Sequence, residues 1–116
     1  MQRSFRLTRS EDFKRVRRDG KSYAHPLVVL IVQSTDQPRV RVGVAAGKAV
    51  GTAVYRNRTK RLLREAMRTL LPNIASGLDL ILIARPALAS ATLADTQSAL
   101  LNLLQRAKVL IPKHES

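Results

Sequence analysis

A basic segment in the middle of the chain, YRNRTKRLLREAMR (residues 55–68), restricts the possible folds more than any other feature. Wound as a helix at about 100° per residue, its apolar side chains share an arc of roughly 120° and its cations an adjoining arc of about 140°. Such a helix buries one face in a core and leaves the other free of protein. We expect it to run for about sixteen to twenty residues and to end at Pro72 and Asn73. The apolar arc contains Tyr55, Leu62, Leu63, Ala66, Met67 and Leu70, and the cationic arc contains Arg56, Lys60, Arg61, Arg64 and Arg68.

The charge on this predicted helix is almost all of one sign. The cationic arc repeats like charges at i, i+4, which costs a few tenths of a kcal/mol per pair, and Glu65 is the one carboxylate of the segment. A face that is merely solvated usually mixes acids with bases. Near the helix start, where backbone N–H groups favour anions, Arg58 adds a cation and Asn57 either caps the helix or donates its amide to a ligand. Arginine, which is preferred here over lysine, contacts phosphate in a bidentate way, so the segment predicts polyanion binding.

The composition of the whole chain points to the same class of partner. The formal net charge of +13 at pH 7 favours a polyanion, with nucleic acid as the leading candidate, and solubility alone does not require such one-sidedness. A length of 116 residues predicts one domain, residues 1–116, with frayed ends. The lack of cysteine excludes disulfides, thiolate zinc sites and cysteine nucleophiles. No apolar run is long enough for a membrane span or a signal peptide, so we expect a soluble, unprocessed, cytoplasmic protein.

Hydrophobic periodicity predicts an α+β fold. A capping-box pattern at Thr8 and Glu11 precedes a first helix over Ser10–Asp19, which Gly20 ends. The runs HPLVVLIVQ and RVRVGVAA read as two strands joined as a hairpin, and DLILIA reads as an interior strand. A cap at Thr92 and Asp95 begins a last helix that continues to Pro112. With one strand added to the two of the hairpin, the expected order of elements is αβββαβα. We expect these elements to form a small two-layer α+β sandwich, and an α/β fold is the alternative class.

Catalytic residues are not evident in the sequence. General acid–base catalysis needs a positioned histidine or carboxylate pair, but His25 precedes a proline in a predicted loop and His114 lies in the C-terminal tail. Neither has an obvious partner. The scattered aspartates Asp36, Asp79 and Asp95 read most simply as turn or cap residues, and a carboxylate metal site would have to form where distant segments meet. We therefore assign no catalytic residue and no metal ligand to the protein.

The stretch GKAVGTAVYRNRTKRLLREAMR resembles the signature of the bacterial ribonuclease P protein subunit. The matching residues are Arg56-Asn57-Arg58 followed by Lys60-Arg61-Leu62-Leu63-Arg64-Glu65. The stretches RLTRSEDFKRV, RVGVAAGKAVGTAV and DLILIARPA are similar to other parts of the same family. The combination is specific, whereas Arg-Asn-Arg alone would be a weak signal.

This resemblance implies a protein that binds a catalytic RNA and supports removal of the 5′ leader from precursor tRNA. Cleavage would belong to the RNA and its Mg²⁺ ions, and neither DNA nor a membrane is expected as a partner. The basic helix would lie in a left-handed βαβ crossover, against the usual right-handed rule. The residues expected to bind the RNA are Lys48, Arg56, Asn57, Arg58, Lys60, Arg61, Arg64 and Arg68. A cleft between the first helix and the sheet would hold the single-stranded leader through Phe5, Arg9, Phe13, Arg17, Val28 and Arg85.

The sequence departs from the family's pattern in this expected cleft. Arg17 stands where a second aromatic residue is common, and Val28 and Ile31 stand where rings are common on the first strand. Single-strand sites usually combine cations with stacking rings, so this cleft is expected to depend more on Arg17 and apolar walls. Phe13 is either a core anchor or a stacking residue. Arg85 is either a solvated residue at a strand end or a contact to RNA or a carboxylate.

Two other functions fit the charge. A ribosomal or other structural RNA-binding protein would share the basic surface. A DNA-binding regulator would place the basic helix in a major groove, but strands rather than helices flank this one, unlike a helix-turn-helix.

Overall fold

The computed structural model describes residues 5–111, whose elements follow the predicted order αβββαβα. The predicted frayed ends, Pro112 and His114 lie outside the described residues. The last helix ends at Ala107, before the predicted limit. The elements are α1 (Ser10–Asp19), β1 (Lys21–Ala24), β2 (Val28–Ser34), β3 (Val40–Ala46), α2 (Ala53–Arg68), β4 (Leu78–Ala84) and α3 (Leu93–Ala107).

The four strands form one mixed sheet in the order β1-β2-β4-β3. The predicted hairpin between β2 and β3 is wrong, because β4 lies between them, antiparallel to β2 and parallel to β3. Since β4 is apolar on both faces, it takes an interior position where both of its neighbours shield it. Strands β3 and β4 are parallel neighbours, so α2 joins them as a βαβ crossover. The hand of this crossover stays a prediction.

One face of the sheet carries the main core. Alternate residues of β2, β3 and β4 point toward a layer formed by α2 and α3, which completes the predicted two-layer sandwich. The buried residues contributed by the helices are Leu63, Ala66, Met67, Leu100, Leu103 and Leu104. The buried strand residues are Val28, Leu30, Val40, Val42, Leu78, Leu80, Leu82 and Ala84.

Helix α1 covers part of the opposite face, where Val16 packs with Ile31 and Ile81. It spans the predicted residues, but the capping box does not form, because Arg9 is the N-cap and makes no side-chain cap hydrogen bond. The chain leaves the helix at Gly20, where a Cβ would lie 2.5 Å from the Val16 carbonyl oxygen. Glycine therefore permits the close approach of the helix end to the sheet.

The N-terminal segment covers the free edge of β3. The Leu7 N–H donates to the Val42 carbonyl at 2.9 Å, and Arg6 forms a parallel bridge with Val42. The Leu7 side chain is buried in the α1 core. The segment thus pairs part of an edge strand that would otherwise expose its backbone groups.

The predicted core face of α2 is right at its centre and wrong at its start. Leu63, Ala66 and Met67 are buried, as is Thr59, whose hydroxyl donates to the Arg56 carbonyl. Tyr55 is 48% exposed, because it lies in the first turn and packs over Gly51 rather than over the sheet. The predicted cap of α3 is confirmed as a full capping box between Thr92 and Asp95.

Candidate nucleic-acid interface

The cations of α2 lie on the side of the helix that faces away from the core. Arg56, Lys60 and Arg64 are half-buried along the border of the core. Within residues 5–111, one α2 cation pairs with a carboxylate: Arg68 lies 2.7 Å from the Glu65 carboxylate oxygen. That pairing lowers the pKa of Glu65 below its usual value. The remaining predicted RNA-binding residues are exposed: Lys48, Asn57, Arg58, Arg61 and Arg68.

Arg56 has an unmet hydrogen-bonding requirement. Its Nε atom is buried from solvent and has no hydrogen-bond partner among residues 5–111. An unpaired buried donor costs free energy comparable to a lost hydrogen bond. Arg56 as a whole is half-buried, so part of its side chain remains at the α2 surface. Asn57 does not cap the helix, because α2 begins four residues earlier, after Thr52.

The predicted leader-cleft residues do not all come together. Val28 is wrong for this role: it is fully buried in the main core, on the sheet face opposite α1. Because side chains alternate along a strand, the next residue, Val29, lies on the α1 face, where it pairs with Ile83 of β4. Val29 and Ile83 are both half-buried, so they form a partly exposed apolar floor beside α1.

Phe5 is also displaced from this cleft. It lines a separate cavity of about 870 Å³ with Arg39, Arg68 and Pro72, beyond the C-terminal end of α2. Arg9, Arg17 and Arg85 are exposed at the start of α1, at its last turn and directly after β4. Of the predicted cleft residues, these three arginines thus keep the exposure that contact with a ligand requires.

Phe13 is half-buried and packs with the α1 core. Its ring occupies the space above Gly43, where a Cβ would lie 2.5 Å from the Phe13 Cζ atom. The ring also lines a small cavity next to α2. Phe13 is thus a core anchor with an accessible edge, so both of its predicted roles fit its position.

A network of charged residues that the sequence reading missed holds α1 against the sheet. Asp79, expected to be a turn or cap residue, is 2% exposed on β4 and accepts hydrogen bonds from Arg41 at 3.0 and 3.1 Å and from Arg15 at 2.7 Å. Asp12 of α1 pairs with the same two arginines. Burial alone would raise the pKa of Asp79, but the arginine hydrogen bonds outweigh it and hold the pKa below its usual value. The aspartate near the start of an apolar strand was the only signal in the sequence, because Arg41 lies opposite it only once β3 and β4 pair.

His25 has a structural role. Its Nδ1 atom accepts a hydrogen bond from the Leu27 N–H at 3.1 Å, in the turn between β1 and β2. Within residues 5–111, no group of three or more carboxylate, histidine or cysteine side chains is placed to hold a metal ion. Over the same part of the chain, every helix is too short or too polar to cross a membrane.

The fold and the α2 surface define a class: small, strongly basic α+β proteins with one cationic helix face. A model of the ribonuclease P family matches residues 1–108. The ribonuclease P protein component of Herpetosiphon aurantiacus is 45% identical over 109 residues, which covers 94% of this chain and 89% of that relative. The chain therefore belongs to the ribonuclease P family, as its protein component, with a role in tRNA processing within an endoribonuclease complex.

Solved structures agree with this assignment. The RNase P protein of Staphylococcus aureus matches with a TM-score of 0.82 at 31% identity, covering 91% of this chain and 97% of that one. The RNase P protein from Thermotoga maritima matches with a TM-score of 0.78 at 30% identity, covering 87% and 96%. The α+β fold of this chain is thus the fold of these proteins.

Proposed function

We propose that this protein binds the RNA of ribonuclease P through the cationic side of α2. The observation that carries the proposal is the set of α2 cations, of which Arg68 alone pairs with a carboxylate within the described residues. Phosphate groups of a folded RNA supply acceptors for these donors and relieve the repulsion between like charges. The self-repulsion of the segment is then offset in the complex.

The second part of the proposal is that the single-stranded leader of precursor tRNA lies in the groove between α1 and the sheet. The half-buried Val29 and Ile83 offer an apolar floor, and the half-buried ring of Phe13 offers an aromatic contact for a base. Arg17 and Arg85 are exposed cations that can contact the leader's phosphates. In place of Val28, we assign Val29 to this groove.

Bond cleavage in the complex is proposed to belong to the RNA and its Mg²⁺ ions. The described residues do not offer a cluster of metal ligands, and His25 is engaged with the backbone. We assign no residue of this chain to metal binding and no protein side chain to proton transfer. The protein's own contribution is to bind and position the two RNA molecules.

Cleavage of precursor tRNA by the cognate ribonuclease P RNA at low Mg²⁺, with and without the protein, tests the proposal. We expect the protein to stimulate cleavage, and Arg56→Gln to weaken RNA binding and reduce the salt slope by about one phosphate contact. Arg18→Gln is the matched control, because it removes the same charge from an exposed arginine that pairs with Asp19.

Two results would count against this function. If Arg56→Gln and Arg18→Gln bound RNA with equal affinity, α2 would not be part of the RNA interface. RNA binding without any stimulation of cleavage would favour a structural RNA-binding protein instead. A precursor with a leader of one nucleotide separates the two halves of the proposal, since only the groove contacts depend on leader length.

A further inference from the structure

Tyr55 places an aromatic ring at the surface of the cationic helix. All four aromatic residues of the chain lie within residues 5–111, and Tyr55 is the exposed one, at 48%. Its ring packs over Gly51, where a Cβ would lie 3.2 Å from the Tyr55 Cδ2 atom. Gly51 has a φ of 136°, a backbone conformation that favours glycine. Contact with this loop thus positions the ring at the start of α2, and the rest of the side chain stays accessible.

A mixed cationic and apolar surface continues from Tyr55 along α2 to the start of α3. Arg58 and Leu62 follow Tyr55 by three and seven residues, a spacing that places all three on one side of the helix. Beyond them lies a surface pocket of about 380 Å³ between α2 and α3. The residues that line this pocket are Arg58, Arg61, Leu62, Glu65 and Leu93. Because its one carboxylate is paired with Arg68, the pocket keeps an excess of positive charge beside exposed apolar groups.

This combination of groups fits an unpaired nucleotide better than it fits a phosphate alone. A phosphate gains from the arginines but nothing from the Tyr55 ring or from Leu93, which is 38% exposed. An unpaired base offers an apolar face that stacks on an aromatic ring, and guanidinium planes stack on bases as well. A base within a duplex has both faces covered by its neighbours. The chemistry at this end of α2 therefore favours a base that is free of the RNA helices.

We propose that Tyr55 stacks an unpaired nucleobase of the RNA that α2 binds, beside the pocket formed by Arg58, Leu62 and Leu93. The inference rests on the proposed function and deepens it, because it adds a base contact to the phosphate contacts of the cations. Stacking on a ring is tolerant of sequence, since every base has an apolar face. Tyr55 thus selects for an unpaired nucleotide at this position of the RNA rather than for a particular base.

Affinity of the full chain for the cognate ribonuclease P RNA, measured across salt concentrations, tests the base contact. Tyr55→Ala should weaken binding about fivefold or more, as expected for the loss of one stacked base. Its salt slope should equal that of wild type, because no phosphate contact is lost. Tyr55→Phe keeps the ring and should stay within about twofold of wild type. Val54→Ala is the matched control, since it shortens a neighbouring side chain that is 75% exposed, and it should also stay within about twofold.

A second pair of variants tests the pocket. Leu93 and Leu101 are both exposed leucines of α3, at 38% and 40%, but Leu101 lies two turns further along, away from Arg58. Leu93→Ala should weaken RNA binding about threefold or more through lost apolar contact, and Leu101→Ala should leave it unchanged. Urea unfolding of each variant separates lost contact from lost fold. We expect Tyr55→Ala to unfold at nearly the same urea concentration as wild type, because the side chain is half exposed.

Three results would overturn the base contact. The first is equal RNA affinity in Tyr55→Ala and Val54→Ala. The second is a loss in Tyr55→Phe as large as that in Tyr55→Ala, which would assign the effect to the hydroxyl group instead of the ring. The third is a reduced salt slope in Tyr55→Ala, which would assign it to displaced phosphate contacts. If Arg56→Gln weakens binding and Tyr55→Ala does not, the base contact fails and the proposed function stands. If Arg56→Gln binds like Arg18→Gln, the proposed function itself fails.

Discussion

Replacing Asp79 by asparagine tests whether the charged network anchors α1 to the sheet. The carboxylate accepts three hydrogen bonds from Arg15 and Arg41, and asparagine keeps its shape but loses the charge and turns one acceptor into a donor. Removing one partner of a fully buried ion pair costs about 3–5 kcal/mol. The two arginine side chains are 31% and 20% exposed, so water compensates in part. We therefore expect a loss of about 2–3 kcal/mol, or roughly 10 °C in melting temperature.

Urea denaturation at pH 7, followed by circular dichroism, measures this change. Asp36→Asn is the control, because it makes the same change in net charge at an exposed turn residue and should stay within about 0.5 kcal/mol of wild type. A double-mutant cycle with Arg41→Gln should show a coupling of about 1–3 kcal/mol. If Asp79→Asn and Asp36→Asn unfold at the same urea concentration, the network does not stabilise the fold and apolar contacts alone hold α1.

Two further predictions concern pH and the core. Because the folded-state pKa of Asp79 is below its usual value, its contribution to stability is complete above about pH 4–5 and is lost as the pH falls through the folded pKa. Acid titration of unfolding should therefore be steeper in wild type than in Asp79→Asn, and parallel curves would contradict this. Leu63→Ala should lower the free energy of unfolding by about 2–5 kcal/mol, since Leu63 is fully buried, and Leu62→Ala by clearly less, since Leu62 is half-buried. Equal losses in denaturant unfolding would contradict the orientation of α2.

Local rules explain which parts of the fold could be predicted. The helical spacing of α1, the cap at Thr92 and the buried centre of α2 depend on neighbours three or four residues away, which the sequence displays directly. Strand neighbours depend on which distant segments meet. Nothing within β2 or β3 indicates that β4 separates them, so the adjacent strands were wrongly joined as a hairpin.

The same distinction between local rules and long-range contacts applies to the candidate site. The α2 cations follow from helical spacing alone, but membership of the groove beside α1 depends on strand register, and a shift of one residue exchanges Val28 for Val29. The Asp79 network joins three elements, and Arg6 and Arg64, which are distant in the chain, line the same small cavity. Their members carry no shared local pattern.

By itself, the sequence determined the order of elements and the cationic face of α2, and it predicted the class of partner, because charge and periodicity are properties of the chain before it folds. Only the tertiary structure decided which side chains share a surface. It placed Asp79 between two arginines, oriented the Val28 side chain toward the main core and brought Arg6 and Arg64 to the same cavity. The physical reason is that burial and electrostatic pairing depend on distances in space, which long-range packing of the sheet and helices sets.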